Sequence, residues 1–339
     1  MLDPVRVMPQ HSVRDPEADP HLNEEWLVTN GLGGYASGTV GGAITRRYHG
    51  YLTAALPNPR GRVMMLNALS ERLRFGNRRV AYIGPPELTG AGAESTLPVA
   101  EYRLQGGLPV WRYEFDGMVL EKRLVLPHAQ NTVNITYRFV KGGEQVRLGV
   151  RPALHFRPHD APVDSQHDHD YALTVKEDCY EVSSSAEASP LRFTVHGRCP
   201  AFTFDRKWSS IVYRTELSRG YPAHGSLWSP GYFRFDLAPG EEATLVASTE
   251  DWTTIGALSP QDAVAAETER RRMLIRAAGP GSEDSTAAEL VLAADQFIIT
   301  PVGRIEESAR ARAAGEEVRS VIAGYHWFTD WGLDTMISL

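Results

Sequence analysis

Cysteine is scarce in this sequence of 339 residues, which contains Cys179, Cys199 and no other cysteine. Two cysteines in so long a chain do not make a disulfide scaffold, which needs several bridges in a small domain. A single bridge between the two is the less favoured alternative. Neither cysteine lies in a CxxC or CxxH cluster, so the sequence predicts no structural zinc site.

Long apolar runs and an excess of positive charge are also missing. No apolar stretch approaches the roughly 18 residues that a membrane span requires. Residues 1–20 are polar and proline-containing and lack the apolar segment of a signal peptide. These features predict a cytoplasmic protein without a membrane partner. The formal net charge of −7 argues against nucleic acid as a partner, because such binders usually need a basic face.

The composition, with 42% hydrophobic and 23% charged residues, is sufficient for a large core. From about Glu25 to about Trp252, apolar and polar residues mostly alternate, as in 133–139, 146–151 and 233–237. This alternation is typical of antiparallel strands with one buried face. Turn signals such as Gly142-Gly143 separate the runs, and no helical crossovers intervene. The sequence therefore predicts a mainly β fold, a large antiparallel sandwich.

Beyond Trp252 the periodicity becomes helical. Ser259-Pro260-Gln261-Asp262 combines an N-cap serine, a proline at N1 and a carboxylate at N3, which predicts a helix to about Ala277. A second helix is predicted after Asp284-Ser285. We expect its apolar face to carry Leu290, Ala294 and Phe297, and its end to lie at Thr300-Pro301.

The segment from Val302 to Ser320 contains several arginines and glutamates and the sequence Ala-Ala-Gly. We interpret it as an exposed loop.

The segment from Gly324 to Thr335 concentrates aromatic residues and carboxylates. Sugar sites need this mixture, because pyranose C–H faces stack on aromatic rings and hydroxyl groups donate to carboxylates. The candidates for sugar binding are Trp327, Asp330, Trp331 and Asp334. The alternative, equally supported by composition alone, is that the aromatics are core residues and Asp330 is an N-cap.

Two earlier segments could also carry function. The glycine-rich run of residues 25–38 lacks GxGxxG spacing, which favours a tight turn between strands over a dinucleotide loop. Residues 45–50 place Arg46 and Arg47 beside Tyr48 and His49 in a loop between strands. This loop could bind substrate, form surface ion pairs or contact another domain. We favour the domain contact, because arginine is enriched at interfaces.

Histidines cluster at residues 155–159 and 167–170. A metal site needs three or four converging ligands, and the second cluster lies in a polar stretch typical of a solvated loop. We predict no metal at either position. No GxSxG motif or P-loop is present, and the sequence predicts no cofactor.

Taken in order, three stretches resemble the bacterial and archaeal glycogen debranching enzyme family of the amylo-α-1,6-glucosidase type. The first joins the glycine-rich run to Arg46-Arg47-Tyr48-His49-Gly50. The second is the run of residues 229–241. The third joins Ala294-Asp-Gln-Phe297 to the aromatic segment of residues 324–339.

The resemblance implies three regions: an N-terminal β-supersandwich over residues 1–255, a helical linker and loop over 256–320, and over 321–339 the truncated first helix of an (α/α)6 catalytic barrel. It further implies hydrolysis of α-1,6-linked glucose at branch points of glycogen or limit dextrin. Such barrels resemble inverting enzymes, in which two carboxylates flank the bond and leave room for a water molecule.

By similarity, Trp327, Asp330, Trp331 and Asp334 match the loop that lines the sugar subsite. Leu333 stands where the family pattern Asp-Trp-Gly-Arg-Asp has arginine, and leucine cannot donate to sugar hydroxyls. The family's general acid and base lie further along the barrel. We therefore assign no catalytic residue and expect no hydrolase activity from this 339-residue chain alone.

The implied partners are an α-glucan and an (α/α)6 catalytic domain, in the same chain or a separate one. We expect the loops with Asn30 and Tyr35 and with Arg46, Arg47, Tyr48 and His49 to face that domain or the substrate. One alternative is a non-catalytic carbohydrate-binding or scaffolding sandwich. Another is a related sandwich-plus-barrel enzyme such as a disaccharide phosphorylase.

Overall fold

A computed structural model describes residues 5–8, 24–76, 79–90, 95–164, 170–184, 187–282, 285–330 and 336–337. Within these ranges the chain forms mostly strands up to Ser248 and mostly helices after it. The strands are β1 (Val5–Val7), β2 (Glu25–Thr29), β3 (Tyr35–Thr39), β4 (Gly50–Leu56), β5 (Gly61–Leu66), β6 (Ala68–Arg74), β7 (Val80–Ile83), β8 (Glu101–Gln105), β9 (Leu108–Phe115), β10 (Met118–Val125), β11 (Thr132–Lys141), β12 (Val146–Ala153), β13 (Arg157–Pro158), β14 (Tyr171–Lys176), β15 (Cys179–Ser184), β16 (Glu187–His196), β17 (Arg198–Val212), β18 (His224–Leu237), β19 (Glu242–Ser248), β20 (Ile298–Ile299) and β21 (Ser320–Val321). The helices are α1 (Pro86–Thr89), α2 (Arg214–Ser218), α3 (Trp252–Ile255), α4 (Pro260–Ala277), α5 (Ser285–Asp295) and α6 (Ile305–Ala313).

Three large antiparallel sheets organise the strands. A nine-stranded sheet has the order β1-β8-β9-β10-β11-β19-β16-β15-β14. One five-stranded sheet has the order β17-β18-β12-β6-β7, and the other has the order β13-β5-β4-β3-β2. The prediction of a mainly β, antiparallel architecture is therefore confirmed. The (α/α)6 part of the prediction is not tested by these residues.

The inner faces of the three sheets share one core. In β11, the alternating residues Val133, Ile135, Tyr137 and Phe139 are all buried. They join one apolar cluster with residues of both five-stranded sheets, such as Leu52 of β4. In β12 and β18, the alternation read from the sequence buries one face of the strand, as expected for a β-sandwich.

A buried ion pair crosses this core. Lys122 Nζ of β10 lies 2.5 Å from Glu71 Oε1 of β6, and the hydroxyl of Tyr137 donates to the same oxygen at 2.8 Å. Burial lowers the pKa of Lys122, but the charge of Glu71 raises it, and the net direction is upward. Lys122 therefore stays charged, and its contact with Glu71 links the two layers.

The helix α4 begins as predicted. The hydroxyl of Ser259 accepts a hydrogen bond from the backbone N–H of Asp262 at 3.1 Å, and the helix ends at Ala277. Glu267 and Arg271 form the expected pair at 2.7 Å. Arg270 also reaches Asp295 at 2.8 Å and joins α4 to α5.

Three predictions about the helical region are wrong. The helix α5 ends at Asp295 and does not continue to the predicted end at Thr300-Pro301. In α5 the buried residues are Ala288 and Leu292, whereas Leu290 is 66% exposed and Phe297 lies beyond the helix. The packing of α5 on α4 selects the buried face, and side-chain size does not reveal it. The segment after Val302 is not a continuous loop, because α6 forms within it. Its first turn carries Glu306 and Glu307 and its last turn carries Arg310 and Arg312, which suits the helix dipole.

The cysteines are free, so the less favoured disulfide does not form. Among the helices of the described residues, none is long and apolar enough to cross a membrane.

Candidate functional site

The candidate site lies where two loops of the five-stranded sheet β13-β5-β4-β3-β2 meet the C-terminal segment. The first loop joins β2 to β3, and the second precedes β4. In the C-terminal segment, β20 pairs with β21, and an isolated bridge joins Ile322 to Asp330. The backbone N–H of Thr300 donates to Gly31 O at 2.8 Å, which ties this segment to the first loop.

Asn30 shapes the first loop from inside. Its side chain is buried, accepts from the Leu32 N–H at 3.0 Å, and donates to Gln130 O and Asn131 Oδ1. The next residue, Gly31, has φ +72°, and a Cβ there would lie 2.1 Å from the imidazole of His128. The run is thus a tight glycine turn between strands, as predicted. Asn30 stabilises this turn from inside and is not part of an exposed surface.

Tyr35 connects this turn to the C-terminal segment. Its buried ring meets Tyr325 edge-on at a centroid distance of 5.5 Å and lies 5.4 Å from His326. Its hydroxyl donates to Tyr48 O at 3.3 Å. Burial raises the pKa of Tyr35 to about 12, so the hydroxyl remains a donor at neutral pH.

Tyr48 begins a series of nearly parallel rings. Its ring lies at 10° to that of His326 and at 16° to that of Trp327, with centroids 5.8 and 6.0 Å away. Trp327 continues to Phe328 with an interplanar angle of 3°. Trp327 is 50% exposed and Phe328 is 43% exposed, whereas His326 is buried. The series therefore runs from the sandwich interior to an aromatic surface.

Arg62 holds the backbone of this aromatic segment. Its guanidinium donates to His326 O at 3.0 Å and also to Phe328 O. Burial lowers the pKa of Arg62, and this effect outweighs the opposite effect of several neighbouring phenol and carboxyl groups. Sequence reasoning missed this residue. A lone arginine at the start of β5 carries no local signal of a partner more than 260 positions away.

Arg46 and His49 both contact the carboxylate of Glu25. Arg46 Nε lies 2.5 Å and His49 Nε2 lies 3.4 Å from Glu25 Oε1. Burial raises the pKa of Glu25, but hydrogen bonds to His49 and Arg46 outweigh this and lower it to about 2. Burial lowers the pKa of His49. The imidazole of His49 is therefore neutral at pH 7, and Nδ1 accepts from the Thr45 N–H at 3.3 Å.

Arg47 lies against the rest of the sandwich. Its guanidinium is 4.9 Å from the centroid of the Tyr48 ring and donates to the Tyr48 hydroxyl at 2.8 Å. Its backbone N–H donates to Glu216 Oε1 at 3.2 Å, and its carbonyl accepts from Arg157. These contacts fix the loop that presents Tyr48 to the aromatic series.

Asp330 follows the exposed rings in the chain and forms the isolated bridge with Ile322. Its carboxylate is partly exposed and pairs with Arg304 at 3.1 Å. The other two sugar-binding candidates, Trp331 and Asp334, and also Leu333, lie outside the described residues. The structure thus brings Trp327 and Asp330 to the junction with Tyr35, Tyr48 and His49.

The structure describes His155 and His159 of the histidine clusters. Within the ranges that the structure describes, no group of three potential ligands converges. His159 is buried beside Arg62, and burial lowers its pKa to about 4. His155 is buried, and its backbone N–H donates to Asn67 Oδ1 at 2.6 Å. His167 and His169 lie outside the described residues.

The geometry so far defines a β-sandwich whose loops support an aromatic, carboxylate-containing segment. Two family models match the chain over these same regions. The model described as "Glycogen debranching enzyme N terminal" matches residues 24–244, and that described as "Amylo-alpha-1,6-glucosidase" matches residues 292–339. The chain therefore belongs to the glycogen debranching enzyme family.

Among solved structures, the chain is similar to one described as a candidate kojibiose phosphorylase from human microbiome. The identity is 7% and the TM-score 0.32, with 81% of this chain and 36% of that chain covered. This chain thus spans about a third of that protein's length. No curated protein matches the sequence.

Proposed function

We propose that this protein acts in the hydrolysis of α-1,6-linked glucose at the branch points of glycogen or limit dextrin. Membership of the glycogen debranching enzyme family supports the reaction class. The observation that carries the proposal for this chain is that one short segment, packed on the sandwich, presents both the half-exposed ring of Trp327 and the partly exposed carboxylate of Asp330.

The chemistry of the junction suits a glucose unit. The exposed part of Trp327, continued by Phe328, offers an apolar surface for the C–H face of a pyranose. The carboxylate of Asp330 can accept from sugar hydroxyls, and Arg304 beside it can donate. Trp331 and Asp334 follow within four positions and are proposed to complete the subsite.

The sandwich contributes by supporting this subsite. Arg62, Tyr35 and Tyr48 contact the backbone or rings of the aromatic segment and limit its freedom. Binding surfaces gain affinity when they are held in the bound conformation in advance. We thus propose that the Arg46–His49 loop positions the sugar-binding segment and does not itself touch glucan.

The proposed domain organisation follows the sequence prediction. Residues 1–255 form the sandwich, residues 256–320 the linker with α4, α5 and α6, and residues 321–339 the start of an (α/α)6 catalytic domain. The remainder of that domain is provided in the same chain or by a separate one. A first helix cannot bury its apolar face until neighbouring helices pack on it.

The 339 residues alone are proposed to bind glucan without hydrolysing it. Inverting hydrolysis needs a general acid and a general base flanking the bond. Asp330, paired with Arg304, is assigned to binding. Release of reducing sugar from limit dextrin by the purified chain would contradict this assignment of roles.

Affinity electrophoresis in gels containing glycogen tests the subsite. We expect glycogen to retard the chain, Trp327→Ala to abolish most of the retardation, and Trp208→Ala to preserve it. Trp208 is a matched control because it is 55% exposed and lies on β17. Equal retardation of all three proteins would contradict the proposed subsite.

A non-catalytic carbohydrate-binding sandwich is the alternative function. Affinity electrophoresis of a shorter chain of residues 1–255 in the same glycogen gels distinguishes the two functions. Retention of full retardation by this shorter chain would favour an autonomous binding module, because it lacks Trp327 and Asp330.

A further inference from the structure

The outer face of the five-stranded sheet β17-β18-β12-β6-β7 carries a second feature, independent of the proposed function. In each of its central strands, one set of alternating residues enters the core and the other faces outward. The outward set on β6, β12 and β18 is rich in arginine. It comprises Arg72, Arg74, Arg147, Arg151 and Arg234, together with Tyr232 and Gly149.

Strand register places Gly149 at the centre of this face. Arg72 of β6 pairs with Gly149 on one side, and Arg234 of β18 pairs with it on the other. Neighbouring strands are about 4.8 Å apart, so these two arginines originate roughly 10 Å from each other. Glycine has no side chain, and the space above it remains open between them.

This open space is a cavity of about 330 Å³. Its lining includes the arginines of the outward set, Lys207, and the rings of Tyr82 and Tyr232. Its size and mixed lining suit a small molecule that carries both a charged group and a flat or apolar part.

The positive charges in the cavity are only partly balanced. Arg147 pairs with Asp236 at 2.7 Å, and Arg151 pairs with Asp205. The side chains of Arg72, Arg74 and Arg234, in contrast, form no hydrogen bond or ion pair with any residue that the structure describes. Nε of Arg234 is buried and lacks an acceptor in the same set of residues.

This arrangement differs from that of a fully paired arginine elsewhere in the sandwich. The chain has a formal net charge of −7, and on β8 Arg103 has both Glu101 and Glu121 as partners. Like charges on adjacent strands destabilise a sheet. A concentration of unpaired guanidinium groups around a cavity therefore favours the binding of an anionic ligand.

We propose that this cavity binds a small phosphorylated ligand, with its phosphoryl group above Gly149 between Arg72 and Arg234. The planar guanidinium groups can each donate two hydrogen bonds to phosphate oxygens. The organic part of the ligand would lie along Tyr232, which already has Arg151 over its ring at 5.3 Å. A hexose phosphate and a nucleoside monophosphate share this chemistry.

Isothermal titration of the 339-residue chain tests the site. The probes are inorganic phosphate, a hexose 6-phosphate and adenosine monophosphate, with glucose as the uncharged control and chloride holding the ionic strength constant. We expect saturable binding of one phosphate ester and no heat with glucose. Tighter binding of the hexose phosphate or of the nucleotide identifies which source the cavity prefers.

Three variants separate a built site from general charge attraction. Arg72→Ala and Arg234→Ala should each weaken binding about 10-fold or more, as expected for loss of a charge-assisted contact. The control Arg310→Ala removes an equally charged, exposed residue on α6 and should leave binding unchanged.

Gly149→Val keeps every charge and fills the space between the arginines. A Cβ at Gly149 would meet its nearest neighbour, in Tyr232, at 3.7 Å, so the fold should tolerate the change. We expect binding to fall about 10-fold while the urea midpoint is retained. No binding of any phosphate ester at millimolar concentration, or binding that none of these variants changes, would overturn the proposal.

Discussion

Arg62 and His326 are separated by most of the chain, yet the guanidinium of Arg62 donates to the main-chain oxygen of His326 at 3.0 Å. A second hydrogen bond reaches the oxygen of Phe328. The rings of Tyr35 and Tyr48 pack on the same segment. The sandwich and the aromatic segment therefore behave as one packed unit, and the effects of substitutions can be predicted from that contact.

Replacing Arg62 by alanine should release the aromatic segment. We expect a loss of about 1–3 kcal/mol of unfolding free energy, because two carbonyl groups lose a charged donor. Hydrogen exchange should accelerate in residues 322–330 and stay slow in β11 of the core. Arg60→Ala, at an exposed neighbouring position, is the control and should leave exchange in the segment unchanged. Unaltered exchange in Arg62→Ala would show that Arg62 does not hold the segment.

Acidification should destabilise the fold through three buried histidines. Burial lowers the pKa of His326 to about 3 and that of His159 to about 4, and it lowers the pKa of His49 as well. Below pH 6.5 the unfolded chain binds protons that the folded chain excludes, so stability falls as the pH falls. From pH 7 to pH 5 the expected loss is about 2 kcal/mol each for His326 and His159.

Urea unfolding at pH 7 and pH 5 checks this dependence. His326→Gln should reduce the change in unfolding free energy between pH 7 and pH 5 by the contribution of one buried histidine. The control His224→Gln, at an exposed position, should leave that change unaltered. Glu25 adds a separate effect at lower pH. Its folded pKa of about 2 lies below the usual 4.5, so its stabilising contribution is present above pH 4.5 and disappears as the pH falls towards 2. A pH dependence of stability that is the same in both histidine variants would contradict the role assigned to His326.

The ion pair between Glu71 and Lys122 should show strong coupling. Lys122→Met alone leaves a buried carboxylate without its cation, and we expect a loss of about 3–5 kcal/mol. Adding Glu71→Gln removes the uncompensated charge and should recover much of that loss. A double-mutant cycle by urea unfolding measures the coupling. Simple additivity of the two changes would show that the pair contributes little to joining the layers.

Leu333→Arg should strengthen glucan binding. The substitution restores the arginine of the family pattern and adds a fork of donors next to Asp334. We expect about 10-fold tighter binding to limit dextrin, measured by affinity electrophoresis. Leu333→Met is the matched control, since it keeps an apolar side chain of similar size. Equal mobility of the two variants would argue against a role for position 333 in the subsite.

Strands and the first linker helix follow directly from local patterns. The alternation in residues 133–139 corresponds to β11, and Ser259-Pro260-Gln261-Asp262 begins α4. Both depend on neighbours within a few positions, where period and capping chemistry act. The helix α6 was missed because its ends carry charges without an apolar stripe, and the buried face of α5 depends on its packing against α4.

The sequence alone was enough for the mainly β class, for the resemblance to the glycogen debranching enzyme family, and for Trp327 and Asp330 as candidates. Only the tertiary structure joined Arg62, Tyr35 and Tyr48 to the aromatic segment, and only strand register gathered Arg72 and Arg234 around Gly149. The reason is physical. Alternation and caps are short-range, whereas these contacts join residues far apart in the chain, whose proximity depends on how the sheets pair and pack.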